Sequence, residues 1–360
     1  MVSDTYYYEN LDDSSRYYYD TIYAGCASRN DPIYVPGISG DQFRKVTQAV
    51  YLDHPELAYV SGIGGDTMTG NNINMAYIGG VDDVAFTEAV NAAVTKIMPT
   101  IAHYESDYER CKAIFDYLCC NVEYDHDLFD RYLRMMGTGP SPQEVHQFAV
   151  DNGHLFSAYS AFVHHRSVCN GIAKAFKMLC GMFSVPCICV TCFEKLDDGS
   201  PGAGHMLNMV TIGGRDAFVD ATNCLRRENF PMQTYDYFLC SREEISEYFI
   251  IDEEFQADLI PENYFVKNRT RFKDSNALRR YLAGYDAVQK GRYIRLRFLG
   301  NDIPKDKVER FCRDVLARHA PVRKQWISRT MGTAFNAILC DPGEIRKINA
   351  ANDKLRKGRK

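Results

Sequence analysis

The chain has 360 residues, 46% hydrophobic and 25% charged, with a net charge of −5. That is ordinary globular composition, enough for one large domain or two or three smaller ones, and it excludes wholesale disorder. The acidic balance gives no electrostatic reason to expect nucleic acid or an anionic membrane as a partner, and no apolar run approaches the roughly 20 residues that cross a bilayer.

The opening residues are polar and aromatic, with neither the basic region nor the apolar core of a signal peptide. The thirteen cysteines are scattered through apolar contexts such as Cys111, Cys180 and Cys312 and frame no small disulfide scaffold, which fits a reducing compartment. A cytoplasmic location is the expectation.

Residues 1–40 are rich in Tyr, Asp and Ser, with turn signals at Asp31-Pro32 and Pro36-Gly37, and read as a surface-wrapping segment without a core of its own. A small α/β module is expected over 41–100. It comprises a helix with Phe43, Val46 and Val50 on one face, strands near Leu57–Val60 and Ile73–Ile78, and a helix from Val84 to Met98 stopped by Pro99. Its glycine-rich stretch Gly62–Gly70 lacks the Lys-Ser/Thr of a phosphate loop and reads as a turn region. The main core is placed at 101–250. Ser106 with Glu109 caps a helix there, and 143–165 is mostly helical.

The segment Val168–Phe183 is the informative helix. Ile172, Phe176, Leu179 and Cys180 form a buried stripe, and Cys169 sits in the first turn. Cys187–Phe193 follows as a buried strand, and then two strands joined at Gly213-Gly214 as a hairpin. Beyond Cys240, Ser241 with Glu244 caps a short helix. A C-terminal α/β or α+β module is expected at 260–345, with helices at Ala277–Val288 and Pro304–His319 and strands at Ile294–Leu299 and Gln325–Cys340. Residues 346–360 read as a mobile basic tail.

A catalytic cysteine needs something to stabilise its thiolate. A helix N-terminus supplies part of this, and a histidine within hydrogen-bond reach supplies the rest, provided a third group fixes the imidazole. The hairpin allows a geometric check. With Gly213 and Gly214 as its turn, Ile212 faces Arg215, His205 falls opposite Thr222, and Asp220 becomes the diagonal neighbour of His205 on the same face. Diagonal pairs lie about 7–8 Å apart at the backbone, a gap that His and Asp side chains bridge. Cys169, His205 and Asp220 are therefore the candidate triad. Tyr159, Asn170 and Asn208 are the candidates for the oxyanion site and the cleft.

The run Ser-Val-Cys-Asn-Gly-Ile-Ala-Lys-Ala-Phe at 167–176 resembles the nucleophile segment of the transglutaminase-like superfamily, in which Cys-x-Gly-Tyr-Ala opens the core helix. Val185-Pro186-Cys187 resembles the step that ends that helix. Gly204-His205-Met206-Leu207-Asn208 resembles its His-Ala-Trp-Asn, and Phe218-Val219-Asp220-Ala221-Thr222 its Tyr-x-Val-Asp-x-Thr-Trp. His54-Pro55-Glu56-Leu57 and Tyr237-Phe238 are further cues similar to bacterial members. The resemblance covers about 105–240, with weaker echoes back to residue 41. It departs at Leu207 and Asn223, where the family has tryptophan, and at Ile172, where tyrosine is common, so a thinner aromatic wall is expected around the cleft.

The resemblance implies an α+β, papain-like fold: a helix bearing the cysteine packed on an antiparallel sheet bearing histidine and aspartate, with small flanking α/β modules. It implies cysteine-dependent acyl transfer on amide or ester bonds of a protein or peptide substrate, as a peptidase or amidase first and by transamidation second. No metal or organic cofactor is implied. Three other readings stand beside these. Cys169 can be a buried structural thiol, and the fold can serve as a non-catalytic binding scaffold. The cluster Cys187, Cys189 and Cys192 reads as core thiols on a strand rather than metal ligands, since no fourth ligand has the usual spacing. His164-His165 reads as surface or cleft lining.

Overall fold

The computed structural model describes residues 2–61, 66–102, 106–287, 289–318, 324–331 and 333–358, with side chains as far as 354. The chain divides into two compact units, Met1–Thr222 with Cys240–Asp258, and Asn223–Leu239 with Leu259–Lys360. This differs from the five consecutive segments expected from sequence, because the chain leaves the first unit at 222 and returns to it at 240.

The N-terminal residues build a core, contrary to the expected surface wrap. The Asp12 side chain accepts the Ser15 amide and starts a helix at Asp13–Ala27. Tyr19, Ile22 and Cys26 of that helix pack with Val46, Ala49 and Val50 of the helix Gly40–Asp53, and Ile33, Val35 and Ile38 join them. Tyrosine-rich composition concealed this, since a tyrosine buries its ring while its hydroxyl finds a polar partner. The Tyr19 hydroxyl donates to Asp53 Oδ2 at 3.0 Å.

Other local expectations shift. Leu57–Val60 forms no strand, only an isolated bridge from Val60 to Tyr77, and the strand expected at Ile73–Ile78 is confined to Asn72–Asn74. Of the glycine-rich stretch, residues 62–65 lie outside the described residues, and Thr67–Thr69 pairs with Asn72–Asn74. The helix Asp83–Ile101 runs through Pro99, which falls in its last turn, where only one missing amide has to be tolerated. Ser106 caps the helix Asp107–Asn121 as expected, its hydroxyl accepting the Glu109 amide.

The helix Cys169–Met182 is the centre of the first unit, and ten of its fourteen residues are buried. On one side lies the sheet, whose strands in this unit run in the order Phe249–Ile251, Cys187–Lys195, Pro201–Ile212 and Arg215–Val219, all antiparallel. Asn208 Nδ2 ties sheet to helix by donating to the Ala173 and Ile188 carbonyls at 3.0 and 3.2 Å. On the other side Lys177, 4% exposed, donates to the carbonyls of Asp4 and Leu52, both at 2.9 Å, and lies 3.7 Å from Asp53. Asp53 also accepts the Tyr7 and Tyr8 amides, so one buried ion pair fastens the N-terminal residues to the core helix. Gly171 is the close-approach point: a Cβ there would overlap Ser167 Oγ and the Ser157 carbonyl oxygen.

The hairpin has the expected register. Gly213 and Gly214 have φ of 56° and 79°, the left-handed values that a two-residue turn of this twist requires, and Ile212 faces Arg215. Pairing ends at Asn208–Val219, which leaves Asp220 just past the strand.

The second unit is a sheet with strands in the order Arg271–Phe272, Tyr293–Phe298, Ala334–Cys340 and Gln325–Met331. The helices Ser275–Ala283 and Val308–Ala317 bury Leu278, Leu282, Cys312 and Leu316 against Ile294, Leu296 and Phe335. Residues 223–239 belong here through Asp236, which accepts from Asn336 Nδ2 at 2.8 Å, and through Phe230 and Met232, which pack on Ile338 and Ile348. The Tyr237-Phe238 cue therefore lies outside the first unit. The expected tail is ordered up to residue 358 as the helix Pro342–Gly358, held down by Ile348. Val288 and His319, the expected ends of two helices, lie outside the described residues.

Lys177→Met removes the partner of a buried carboxylate, and such a break costs about 3–5 kcal/mol. Urea denaturation followed by circular dichroism should show that loss, and adding Asp53→Asn should recover part of it. A midpoint equal to wild type would show that Asp53 is held by the tyrosines alone.

Candidate active site

Cys169 is the first residue of its helix and is 2% exposed. The N-cap position is Val168, in extended conformation, whose side chain offers no oxygen to the first-turn amides. Backbone bonds hold the approach: the Val168 amide donates to the Leu155 carbonyl at 3.1 Å, and Ser167 Oγ donates to the same oxygen at 2.7 Å. The thiol therefore sits where amide dipoles favour an anion.

His205 and Asp220 meet. His205 Nε2 lies 3.0 Å from Asp220 Oδ2, with the histidine 8% and the aspartate 1% exposed. The Cys169 sulfur is the ring's second electrostatic neighbour. Because Nε2 is engaged by the carboxylate, Nδ1 is the nitrogen left for the thiol. Burial by itself would push the imidazole pKa down, but the Asp220 charge, the Cys169 sulfur and the hydrogen bond to Asp220 outweigh it, holding the pKa well above the ordinary 6.5.

Two residues that no motif marked complete the centre. Phe249, on the strand to which the chain returns after 240, stacks on the His205 ring at 4.8 Å with 14° between the planes. Tyr51, from the helix Gly40–Asp53, adjoins Asn170 and donates to the Phe156 carbonyl at 3.0 Å. Cys169 Sγ in turn donates to Asn170 Oδ1 at 3.2 Å. Both residues come from segments distant in sequence, and only their hydrophobicity could have hinted at them.

The remaining candidates separate. Asn170 borders the thiol and lines the cleft. Asn208 does not: it is 1% exposed and spent on the helix–sheet bonds, because its strand position alternates with that of His205 and so faces away from it. Tyr159 is also elsewhere, its ring against Phe86 at 6.0 Å and His164 at 5.4 Å, where a π-helical turn carries it from the cleft. His164 and His165 are exposed and are not among the cleft residues. Cys187 and Cys189 are fully buried and Cys192 nearly so, paired in register with His205. Burial first, then the charges of Asp220 and Cys169, pushes the Cys192 thiol up and keeps it protonated.

His205 and Asn170 open onto a cleft of about 1090 Å³. The wall expected to be thin is aromatic, but its rings come from other segments than the missing tryptophans: Tyr6, Tyr7, Phe129, Tyr132, Phe156 and Phe255. Asp252, Glu253 and Glu254 form an exposed acidic edge. Their loop is shaped by Arg242, which donates to the carbonyls of Ile251, Asp252 and Phe255 at 2.8–2.9 Å.

No family model matches this sequence, and no curated protein does. Among solved structures, a protein assigned as a cysteine protease from Cytophaga hutchinsonii is similar with 18% identity and a TM-score of 0.25, over 41% of this chain and 45% of that one. A structure described as a TGase has 14% identity and a TM-score of 0.29, over 40% and 34%. A protein assigned as a protease from Parabacteroides distasonis has 7% identity and a TM-score of 0.26, over 81% and 66%. The likeness thus spans less than half the length of the first two.

Proposed function

We propose that the first unit is a cysteine-dependent acyl transferase acting on amide bonds, and that hydrolysis is its main outcome. The observation that carries this reading is His205, bonded to Asp220 and electrostatically coupled to Cys169, beside an open cleft. Cys169 passes its proton to His205 Nδ1, and the thiolate attacks the substrate carbonyl. The resulting oxyanion is met by the first-turn amides and the Asn170 side chain. His205 returns the proton to the leaving amine as the C–N bond breaks, which leaves a thioester. Water then gives a proton to His205 and attacks the thioester; the carboxylic acid departs and the thiol is restored. An amine in place of water would give transamidation through the same intermediate.

Peptide-resolved alkylation with iodoacetamide tests the thiolate–imidazolium pair. Twelve of the thirteen cysteines are buried, and exposed Cys120 serves as the reference. Cys169 should react rapidly below pH 7, and His205→Ala should slow it at least tenfold while leaving Cys120 unchanged. Equal rates in both proteins would favour the scaffold reading.

Asp220→Asn should lower turnover of a quenched-fluorescence peptide library by a factor on the order of 10⁴, the loss seen when an orienting carboxylate becomes an amide. The same variant should lower the His205 pKa, because burial then acts without its main opponent. In wild type the ring stays protonated as pH rises past 6.5, and any stability from this pair is full below 6.5 and lost as pH climbs through the higher folded value. Histidine ring NMR resonances followed against pH would read this directly. A His205 titration unmoved by Asp220→Asn would contradict the assignment.

A further inference from the structure

The net charge of −5 hides an uneven split. The two segments of the second unit carry 27 lysines and arginines against 12 aspartates and glutamates, a balance of +15, whereas the first unit carries 15 against 35, a balance of −20. Salt screens charges beyond about 8–10 Å, so a partner responds to the local field and not to the chain's sum.

Four acids of the second unit are tied into local bonds, and counting all twelve acids at full charge still leaves the balance at +15. Asp274 caps the helix Ser275–Ala283, Asp341 accepts the Gly343 and Glu344 amides, and Asp302 accepts the Ser275 amide. Glu344 is bonded to Arg292 at 2.6 Å. Exposed cations including Lys290, Arg346 and Lys347 remain.

Near these cations the unit carries a ladder of rings and guanidinium groups. Tyr264 stacks on Tyr235 at 4.0 Å and 4°. The Arg295 guanidinium lies 5.1 Å from the Tyr235 ring and 5.3 Å from Tyr293, and Arg292 lies 5.6 Å from Tyr293. The ladder ends at Tyr293, 40% exposed. The bond from Arg292 to Glu344 brings the first turn of the Pro342–Gly358 helix, with Arg346 and Lys347, to the same place.

We propose that this face binds single-stranded nucleic acid, with a base stacked on Tyr293 and phosphates held by Lys290, Arg346 and Lys347. An exposed ring beside exposed cations suits a strand that offers both a π-face and phosphates. An acidic polypeptide offers only the charge, and a duplex hides its bases.

The test is fluorescence anisotropy of a short labelled oligouridylate with the full chain over a range of KCl. The logarithm of affinity should fall with the logarithm of salt, by about 0.7 for each phosphate engaged. K290E/R346E/K347E should weaken binding at least tenfold and flatten that slope. Tyr293→Ala should weaken binding roughly tenfold at unchanged slope, while Tyr293→Trp retains it. Absence of saturable binding, indifference to Tyr293→Ala, or equal competition by polyglutamate or by a duplex would each overturn the proposal. Turnover of the peptide library plays no part in this readout.

Discussion

Everything in the first unit depends on burying the helix Cys169–Met182 from both sides at once. A helix enclosed in this way cannot shift along its axis without breaking polar bonds on either flank, so the position of its N-terminus, and of the thiol there, is fixed by contacts about one and two turns away. Asn208 holds the sheet side through main-chain carbonyls, and Lys177 holds the other side through carbonyls and Asp53. Lys174, 1% exposed and pushed down to about 7 by burial, lies with its amine 3.1 Å above the Tyr51 ring. Two lysines are thus enclosed at the centre of the fold, Lys177 by hydrogen bonds and Lys174 over a ring.

The candidate site is assembled from three sources with different mechanical character. The thiol stands on a helix, the imidazole and carboxylate on a rigid hairpin, and the covering ring on a strand that arrives last in the chain. Helix and hairpin are joined by hydrogen bonds, whereas Phe249 contributes a flat apolar cover over the imidazole. Such a cover excludes water from one face of the ring, which strengthens the attraction between His205 and Asp220.

The parts of this arrangement legible in the sequence were those governed by short-range rules. Glycines at the hairpin turn fix a register, and the register fixes which residues face each other, so the meeting of His205 and Asp220 followed from counting. The helix start at Cys169 and the caps at Ser106 and Ser241 were legible for the same reason. Long-range contacts were not. Tyr51 and Phe249 reach the site from more than a hundred and from forty positions away respectively, and nothing local distinguishes them from ordinary core aromatics. Lys177 carries no local sign of the buried aspartate that meets it from another helix. Asn208 misled because a polar residue beside a candidate base suggests chemistry, although strand alternation turns it toward the core. The tyrosine-rich N-terminus misled through composition, since rings with polar tips serve a core as readily as a surface.

The excursion of residues 223–239 into the second unit has a consequence for modularity. Each unit is made of two stretches of chain, and the stretches interleave in sequence. No single cut therefore separates one whole unit from the other: a break at 222 strips Phe249 from the imidazole, and a break at 258 leaves Asp236 without Asn336. Excising either unit whole takes more than one break in the chain, unlike domains strung on a linker.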